Sequence, residues 1–199
     1  MPPGLIVIVS SPAGCGKDAV IKKLLDIFPN SARIVTTTSR PPRPNEKEGV
    51  NYFFVSKEDF EKKIKERYFL EHNNCAGFYY GTPKKYLKNL LDNYKIIFTY
   101  IDVNGKHHFD QTGIANFSIF LLPENMEILR KRAKRRGGMS KELIEERLRI
   151  GQEEIKKSQD YDYRLVNIDG KLDETVAKIA KKLRSRLSAT PTIDKSGRI

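Results

Sequence analysis

The segment Leu5-Ile6-Val7-Ile8-Val9-Ser10-Ser11-Pro12-Ala13-Gly14-Cys15-Gly16-Lys17-Asp18-Ala19-Val20 decides the fold. Its first five residues are an unbroken apolar, largely β-branched run, which reads as a strand buried on both faces. Ser10 to Gly16 reads as a loop. From Asp18 the apolar residues Val20, Ile21, Leu24, Leu25 and Phe28 recur at helical spacing, predicting a helix to Ile27. Strand, glycine loop and helix in that order form the opening unit of a parallel α/β sheet. Glycines let successive N–H groups curl around an anion, and a lysine at the helix start adds charge where the helix already favours anions.

Ser11-Pro12-Ala13-Gly14-Cys15-Gly16-Lys17-Asp18, with Ala19 following, is therefore read as a nucleotide-phosphate loop of Walker A type. Two of its four defining positions depart. Ser11 stands for the first glycine, a mild change. Asp18 stands for the Ser or Thr whose hydroxyl normally meets Mg²⁺, and a carboxylate beside a triphosphate repels it unless a cation intervenes. Two readings of Asp18 stay open. It coordinates Mg²⁺ directly or through water, or it points away and only favours the helix N-terminus. Cys15 is expected to be exposed beside a helix N-terminus that can lower its pKa; an incidental small loop residue is preferred over a redox switch.

Working outward, Arg33–Thr38 reads as a second strand and Lys57–Glu66 as a helix capped by Ser56, with Asp59 as its capping-box partner. Tyr68–Asn74 is extended, Phe78–Gly81 is a strand, Pro83–Asn93 a helix and Lys95–Val103 a buried strand. Ser118–Leu122 is another buried strand and Glu124–Arg135 a helix broken by Gly137-Gly138. Ser140 caps a helix to about Ser158, Tyr163–Asn167 is the last strand, and Leu172–Leu187 an amphipathic helix. The fold class is α/β, a three-layer α/β/α core with a parallel sheet. The expected single domain spans 4–187, with a core of 4–35, 83–125 and 159–187. Insertions fill 36–82 and 126–158, and 188–199 is expected to be a flexible tail.

The first insertion carries Thr38-Ser39-Arg40-Pro41-Pro42-Arg43-Pro44, followed beyond a glycine turn by Tyr52-Phe53-Phe54-Val55. Two arginines three apart, stiffened by prolines, make a fixed cationic pocket for a phosphate dianion, to which a tyrosine adds a neutral donor. A proline-rich ligand for a peptide-binding domain is the competing reading; the strand-like run after it argues for a segment built into a domain. Thr36, Glu71, Tyr80 and Thr82 lie at strand ends able to converge on one pocket. A carboxylate such as Glu71 can accept from the adjacent N1 and 2-amino donors of guanine, a pair adenine lacks. On residue type alone Glu71 would be a surface strand residue; its place shortly before Gly77-Phe78-Tyr79-Tyr80-Gly81 favours the pocket.

The chain has 199 residues, 39% hydrophobic and 31% charged, enough for a real core. No apolar run reaches the roughly 18–20 residues of a membrane span. Cys15 and Cys75 form no metal or redox spacing, so a reduced cytoplasmic setting is expected. A net charge of +12 invites a nucleic-acid partner, yet no helix-turn-helix, zinc-finger or RNA-binding signature accompanies it. Much of the charge lies in Arg130–Arg136 and the last helix, as expected where several phosphates share a cleft. Neither nucleic acid nor membrane is expected as a partner.

Thr38, Ser39, Arg40, Arg43, Glu46, Gly49, Tyr52, Phe54 and Val55 match the signature of guanylate kinases, and the chain resembles that family from about Leu5 to Leu183. The resemblance implies that Arg40, Arg43, Tyr52 and Tyr80 hold the phosphate of GMP and that Thr36, Glu71, Thr82 and Asp102 address the guanine. It implies that 126–158 is an ATP lid whose Arg132, Arg136 and Arg147 contact phosphates, with Lys17 completing the catalytic charges. Arg132 and Arg136, four apart, share one helix face. Asn167 matches a position close to the adenine. Tyr100 departs from the family, which places there an aspartate associated with the metal. His107 and His108 have no convergent partners and read as surface residues.

The implied reaction is ATP + GMP ⇌ ADP + GDP, extended to dGMP, with Mg²⁺ accompanying ATP. The attacking phosphate oxygen is already anionic, so no general base is required; positioning and charge neutralisation suffice. Closure of both insertions would exclude water. A catalytically silent binding module and a P-loop kinase acting on another phosphate ester are the alternatives. The protein is expected to be a monomer or homodimer.

Overall fold

β1 (Leu5–Ser10) runs almost wholly buried into the glycine loop, and α1 (Lys17–Ile27) follows, burying Val20, Ile21 and Leu24. The computed structural model describes residues 4–44, 46–75 and 77–189. The chain continues through β2 (Ser31–Arg33), β3 (Thr37–Thr38), β4 (Phe53–Phe54), α2 (Lys57–Lys65), β5 (Phe69–Cys75), β6 (Phe78–Pro83), α3 (Lys84–Asn93) and β7 (Ile96–Thr99). It closes with α4 (Val103–Asp110), β8 (Asn116–Pro123), α5 (Met126–Arg136), α6 (Lys141–Lys157), β9 (Tyr163–Asn167) and α7 (Leu172–Ala189). The five-stranded sheet has the order β2-β7-β1-β8-β9, and a second, four-stranded sheet the order β4-β3-β6-β5. In the first, β7 lies parallel to both β1 and β2. In the second, β6 is antiparallel to β3 and β5, while β3 and β4 are parallel.

Two compact units emerge. One comprises Gly4–Ser10 and Asn30–Ile119, with Ile6, Ile8, Ile34, Leu87, Ile97 and Phe109 in its core. The four-stranded sheet belongs to it, and there Phe60 stacks on Phe69 and Tyr79 with ring centroids 4.4 and 5.2 Å away. A β-carbon on Gly81 would come within 2.8 Å of Phe69, so only glycine fits at that point of β6. The other unit comprises Ser11–Pro29 and the described residues from Phe120 onward, where α1 packs on α7.

Several elements follow the sequence reading through local chemistry. Ser56 accepts from the Asp59 amide at 3.0 Å and Ser140 from the Leu143 amide at 3.2 Å, the two expected helix caps. Other elements correct it. Arg33–Thr38 is not one strand: Ser31–Arg33 joins β7, and Thr37–Thr38 joins β6 in the other sheet. β-branched residues suit either sheet equally, so the crossover between them leaves no periodic signal. β7 ends at Thr99, and Asp102 caps α4, accepting from the Gly105 amide at 2.7 Å. That helix was not anticipated, because Val103-Asn104-Gly105-Lys106-His107-His108 has weak helix propensity; burial of Val103, Lys106 and Phe109 sustains it. α7 runs through Ala189, past the expected tail start at Ser188, and the rest of the tail lies outside the described residues. Among the described residues no helix is long and apolar enough to cross a membrane.

Candidate active site

The phosphate loop is a chain of backbone donors held open by two glycines. Gly14 and Gly16 have φ of 88° and 92°, the left-handed region that side chains disfavour. The Cys15 amide donates to the Pro12 carbonyl at 3.2 Å and the Val20 amide to Gly16 at 3.1 Å, turning the loop into the first turn of α1. Asn167 braces it, donating Nδ2 to the Cys15 carbonyl at 2.7 Å. A β-carbon on Gly16 would meet that amide at 3.1 Å, so the close approach needs glycine there too. The Asn167 Oδ1 is buried without a hydrogen-bond partner. Gly151 of α6 lies close to Pro12, which a β-carbon there would meet at 3.0 Å.

Lys17 opens α1, half-buried, and Ala19 is exposed one position after Asp18. Cys15 corrects the expectation of exposure, while the preferred reading of an incidental loop residue stands. Its side chain is buried, its Sγ lies 3.5 Å from the Leu121 carbonyl, and burial pushes its pKa up to about 11 despite Lys17 and Arg132. Local sequence shows a helix start, whereas the contact that buries the thiol comes from β8, 106 residues away.

Arg132 donates Nη1 to the Gly14 carbonyl at 2.8 Å and pairs through Nη2 with Asp169. That hydrogen bond holds Asp169 below the usual carboxylate range. Ala13, Gly14, Leu129, Arg132, Arg147 and Leu148 line one cleft, so two of the three arginines expected in a lid meet at the phosphate loop. Arg136 closes α5, and its side chain lies outside the described part of the structure. Asp18 is exposed in the first turn of α1. Among the described residues no three His, Cys, Asp or Glu gather as a metal-ligand cluster. One exposed carboxylate next to a phosphate loop still fits Mg²⁺, which keeps several waters and is held by one or two carboxylates plus substrate phosphates.

The other unit holds the remaining expected residues. Arg40, 7% exposed, grips both oxygens of Glu46 from Nη2 at 2.9 and 2.8 Å and donates Nη1 to the Pro41 carbonyl at 2.6 Å. Its Nε is buried with no hydrogen-bond partner. Leaving a buried donor unpaired costs about 1–3 kcal/mol, which an anion would recover. Burial opposes the Arg40 charge, but hydrogen bonds with Glu46 and Tyr80 outweigh it and raise its pKa. Burial would likewise lift Glu46, yet the Arg43 amide, 2.8 Å away, and Arg40 hold it below the usual range. Arg43 is exposed. The Arg40 guanidinium lies 5.6 Å from the Tyr52 ring centre, and Tyr52 meets Tyr80 edge-on at 5.8 Å.

Glu71 is buried at an irregularity in β5 where the register shifts between Phe69 and His72. Thr82 donates to its Oε1 at 2.6 Å. Burial pushes Glu71 up to about 7, against the Thr82 hydrogen bond and with the nearby Asp102 charge adding to the rise. Asn73 donates to both Asp102 oxygens at 3.0 Å, and a β-carbon on Gly105 would lie 3.4 Å from Asp102 Oδ1 and 3.5 Å from Glu71 Oε2. Glu71, Thr82 and Asp102 therefore come together at the start of α4. Thr36 is buried beside β3, its carbonyl accepting from the Phe53 amide at 2.9 Å. His107 and His108 are exposed on α4, as expected.

Two partners escaped the sequence reading: Asn73, which orients Asp102, and Asp169, which holds Arg132. Asn73 sits 29 residues from Asp102 and Asp169 sits 37 from Arg132, so no local motif could join them.

A sequence model of the family described as guanylate kinase matches residues 4–186. A guanylate kinase of Rickettsia bellii is 42% identical over 176 residues, covering 88% of this chain and 91% of that one. One of Clostridium perfringens is 36% identical over 176 residues, covering 88% and 81%. The crystal structure of a guanylate kinase from Anaplasma phagocytophilum superposes with a TM-score of 0.77 at 31% identity, covering 96% of this chain and 89% of that one.

Proposed function

The chain belongs to the guanylate kinase family, and from that premise we infer that it transfers the γ-phosphoryl group of ATP to GMP, giving ADP and GDP. The observation that carries the acceptor assignment is the buried carboxylate of Glu71 with the half-buried Asp102 beside it, in one unit with the Arg40–Glu46 grip. In this reading 36–82 is the acceptor-binding insertion, 126–158 the lid, and the remainder of 4–187 the core.

Glu71 accepts from guanine N1 and the 2-amino group, with Thr82 and Thr36 beside it. Asp102, held by Asn73, takes the remaining donor on that edge. Arg40 offers its unpaired Nε to the GMP phosphate, joined by Arg43, Tyr52 and Tyr80. None of these contacts involves the ribose 2′ position, so dGMP is accepted as well.

ATP lies along Ser11–Ala19, its phosphates on the loop amides and Lys17. The Asn167 Oδ1, an acceptor without a partner, faces a donor on the adenine. Bound with ATP, Mg²⁺ would supply charge neutralisation at the phosphates, and Asp18 would hold it directly or through a water. The GMP phosphate oxygen needs no base, since it is anionic at neutral pH. Lys17, Arg132, Arg136 and Arg147 offset the charge that spreads over the transferring group. The setting is cytoplasmic and the working unit a monomer or homodimer.

A coupled assay of ATP with GMP, AMP or a ribose phosphate, repeated across Mg²⁺ concentrations, tests the reading. ADP release with GMP alone is the expected result. GMP binding without turnover at every Mg²⁺ level would instead make the protein a binding module, and turnover of a ribose phosphate would move the acceptor away from guanine.

A further inference from the structure

The loop over 46–52 is curled on itself but has little buried side chain to hold it in place. Val50 and Asn51 donate their amides to the Lys47 carbonyl at 3.2 and 3.0 Å, and Gly49 donates to Tyr52 at 2.9 Å. Asn51 Oδ1 accepts from the Lys47 amide at 2.9 Å. Yet Val50 is 55% exposed, and Lys47, Glu48 and Gly49 are exposed as well. Within the segment Glu48 Oε2 accepts from the Phe54 amide at 2.9 Å, a tie to β4 and not to the core sheet.

Two polar side chains from the ends of core strands fasten the loop to the core sheet. Arg33, the last residue of β2, donates Nη2 to the Val50 carbonyl. Tyr100, the first residue after β7, donates its hydroxyl to the next carbonyl, Asn51, at 3.2 Å. The two anchors also touch each other: the Arg33 guanidinium lies 5.4 Å from the Tyr100 ring centre. The same ring meets Tyr52 edge-on at 5.9 Å and 79°. β2 and β7 are neighbours in the parallel sheet, with Arg33 in register with Phe98, so both anchors rise from one rigid edge.

What the loop carries gives this tie its meaning. Glu46 stands at its start and fixes Arg40 through two hydrogen bonds; Tyr52 stands at its end, beneath the same guanidinium and beside Tyr80. A shift of the loop by an ångström would move both flanks of Arg40 together.

We propose that Tyr100 and Arg33 are positioning residues for the acceptor phosphate: they fasten the 46–52 loop to the core sheet and so pre-order Arg40 and Tyr52 before GMP arrives. The inference rests on the assignment of this pocket to GMP. Pre-ordering lowers the entropy lost on binding, so its removal weakens binding of the phosphate while the chemistry that follows is little changed. Tyr100 thus works for the acceptor grip and not for a metal.

Tyr100→Phe removes one hydroxyl and keeps the ring. With saturating ATP, its KM for GMP is expected to rise three- to tenfold, the range for losing one hydrogen bond of about 0.5–1.5 kcal/mol, with kcat within twofold. Guanosine, which lacks the phosphate, should bind wild type and variant equally by calorimetry. A merely structural defect would weaken guanosine and GMP alike, and that result would overturn the proposal. So would an unchanged KM for GMP, or a loss confined to kcat. Arg33→Met should reproduce the split, and the double variant should lose less than the product of the singles, because both anchors hold one loop. Should Arg33→Met fail to fold, Tyr100→Phe alone decides. A wild-type protein that binds no GMP overturns the pocket assignment itself. Normal wild-type GMP binding with an unaffected Tyr100→Phe variant overturns only the positioning role.

Discussion

Arg40 and Arg132 each pair with a carboxylate, and they do so in opposite surroundings. The Arg40 side chain is 9% exposed and its Glu46 partner 16%; the Arg132 side chain is 24% exposed and its Asp169 partner 62%. Arg40 is held on both flanks by a curled loop and an aromatic cluster, whereas Arg132 leans on a backbone carbonyl of the phosphate loop. A buried pair in low dielectric holds one geometry, while an exposed pair is screened and contributes little. The contrast fits what each side must do. In the proposed reading the acceptor side has to tell guanine from other bases and needs fixed groups, while the donor side mainly neutralises phosphate charge and tolerates mobile ones.

The sharpest way to break this comparison is at Glu71. Glu71→Gln should lower kcat/KM for GMP by about 10- to 100-fold, the scale for mispairing a buried polar group. KM for ATP should stay unchanged, and steady-state kinetics with each substrate varied checks this. On the donor side, Arg132→Met should lower kcat by about 10-fold or more, within the range for losing a transition-state charge contact, and leave GMP affinity intact. Equal loss of GMP affinity in both variants would erase the distinction.

Acidity sharpens it further. Glu71 is raised by burial to about 7 from its ordinary 4.5, and in the proposed role only its carboxylate form would accept from guanine. GMP affinity should therefore fall as pH drops through about 7, with the Glu71→Gln variant lacking that component. Stability runs the other way. The folded state binds the extra proton between about 4.5 and about 7, so folding stability declines as pH rises across that window. The Gln variant, followed by chemical denaturation, should not show this decline. The carboxylate costs stability in the pH range where recognition needs it. The smallest effect is expected at Asp169→Asn, about a twofold change in KM for ATP, because its ion pair with Arg132 is exposed.

What the sequence made legible is what local chemistry decides. Ser56 and Ser140 cap helices from three residues away, and the Leu5–Lys17 strand and glycine loop stand as expected. What it hid depends on distant partners. Ile34 to Thr36 carry the chain from one sheet to the other although every residue there would suit a continuous strand. Asp102 was placed in the acceptor site, but the helix it caps was missed, since that helix is sustained by burial in spite of its composition. Cys15 reads as exposed from its neighbours and is buried against Leu121, a contact invisible in a short window. The same limit applied to Asn73 and Asp169, whose roles exist only through residues far along the chain.

The division into a discriminating acceptor side and a charge-neutralising donor side is tested most directly on Lys17→Ala. Turnover should be lost in this variant, while calorimetric titration with GMP should return the wild-type dissociation constant, because every acceptor contact named lies outside the phosphate loop. Loss of GMP binding along with turnover would contradict the division.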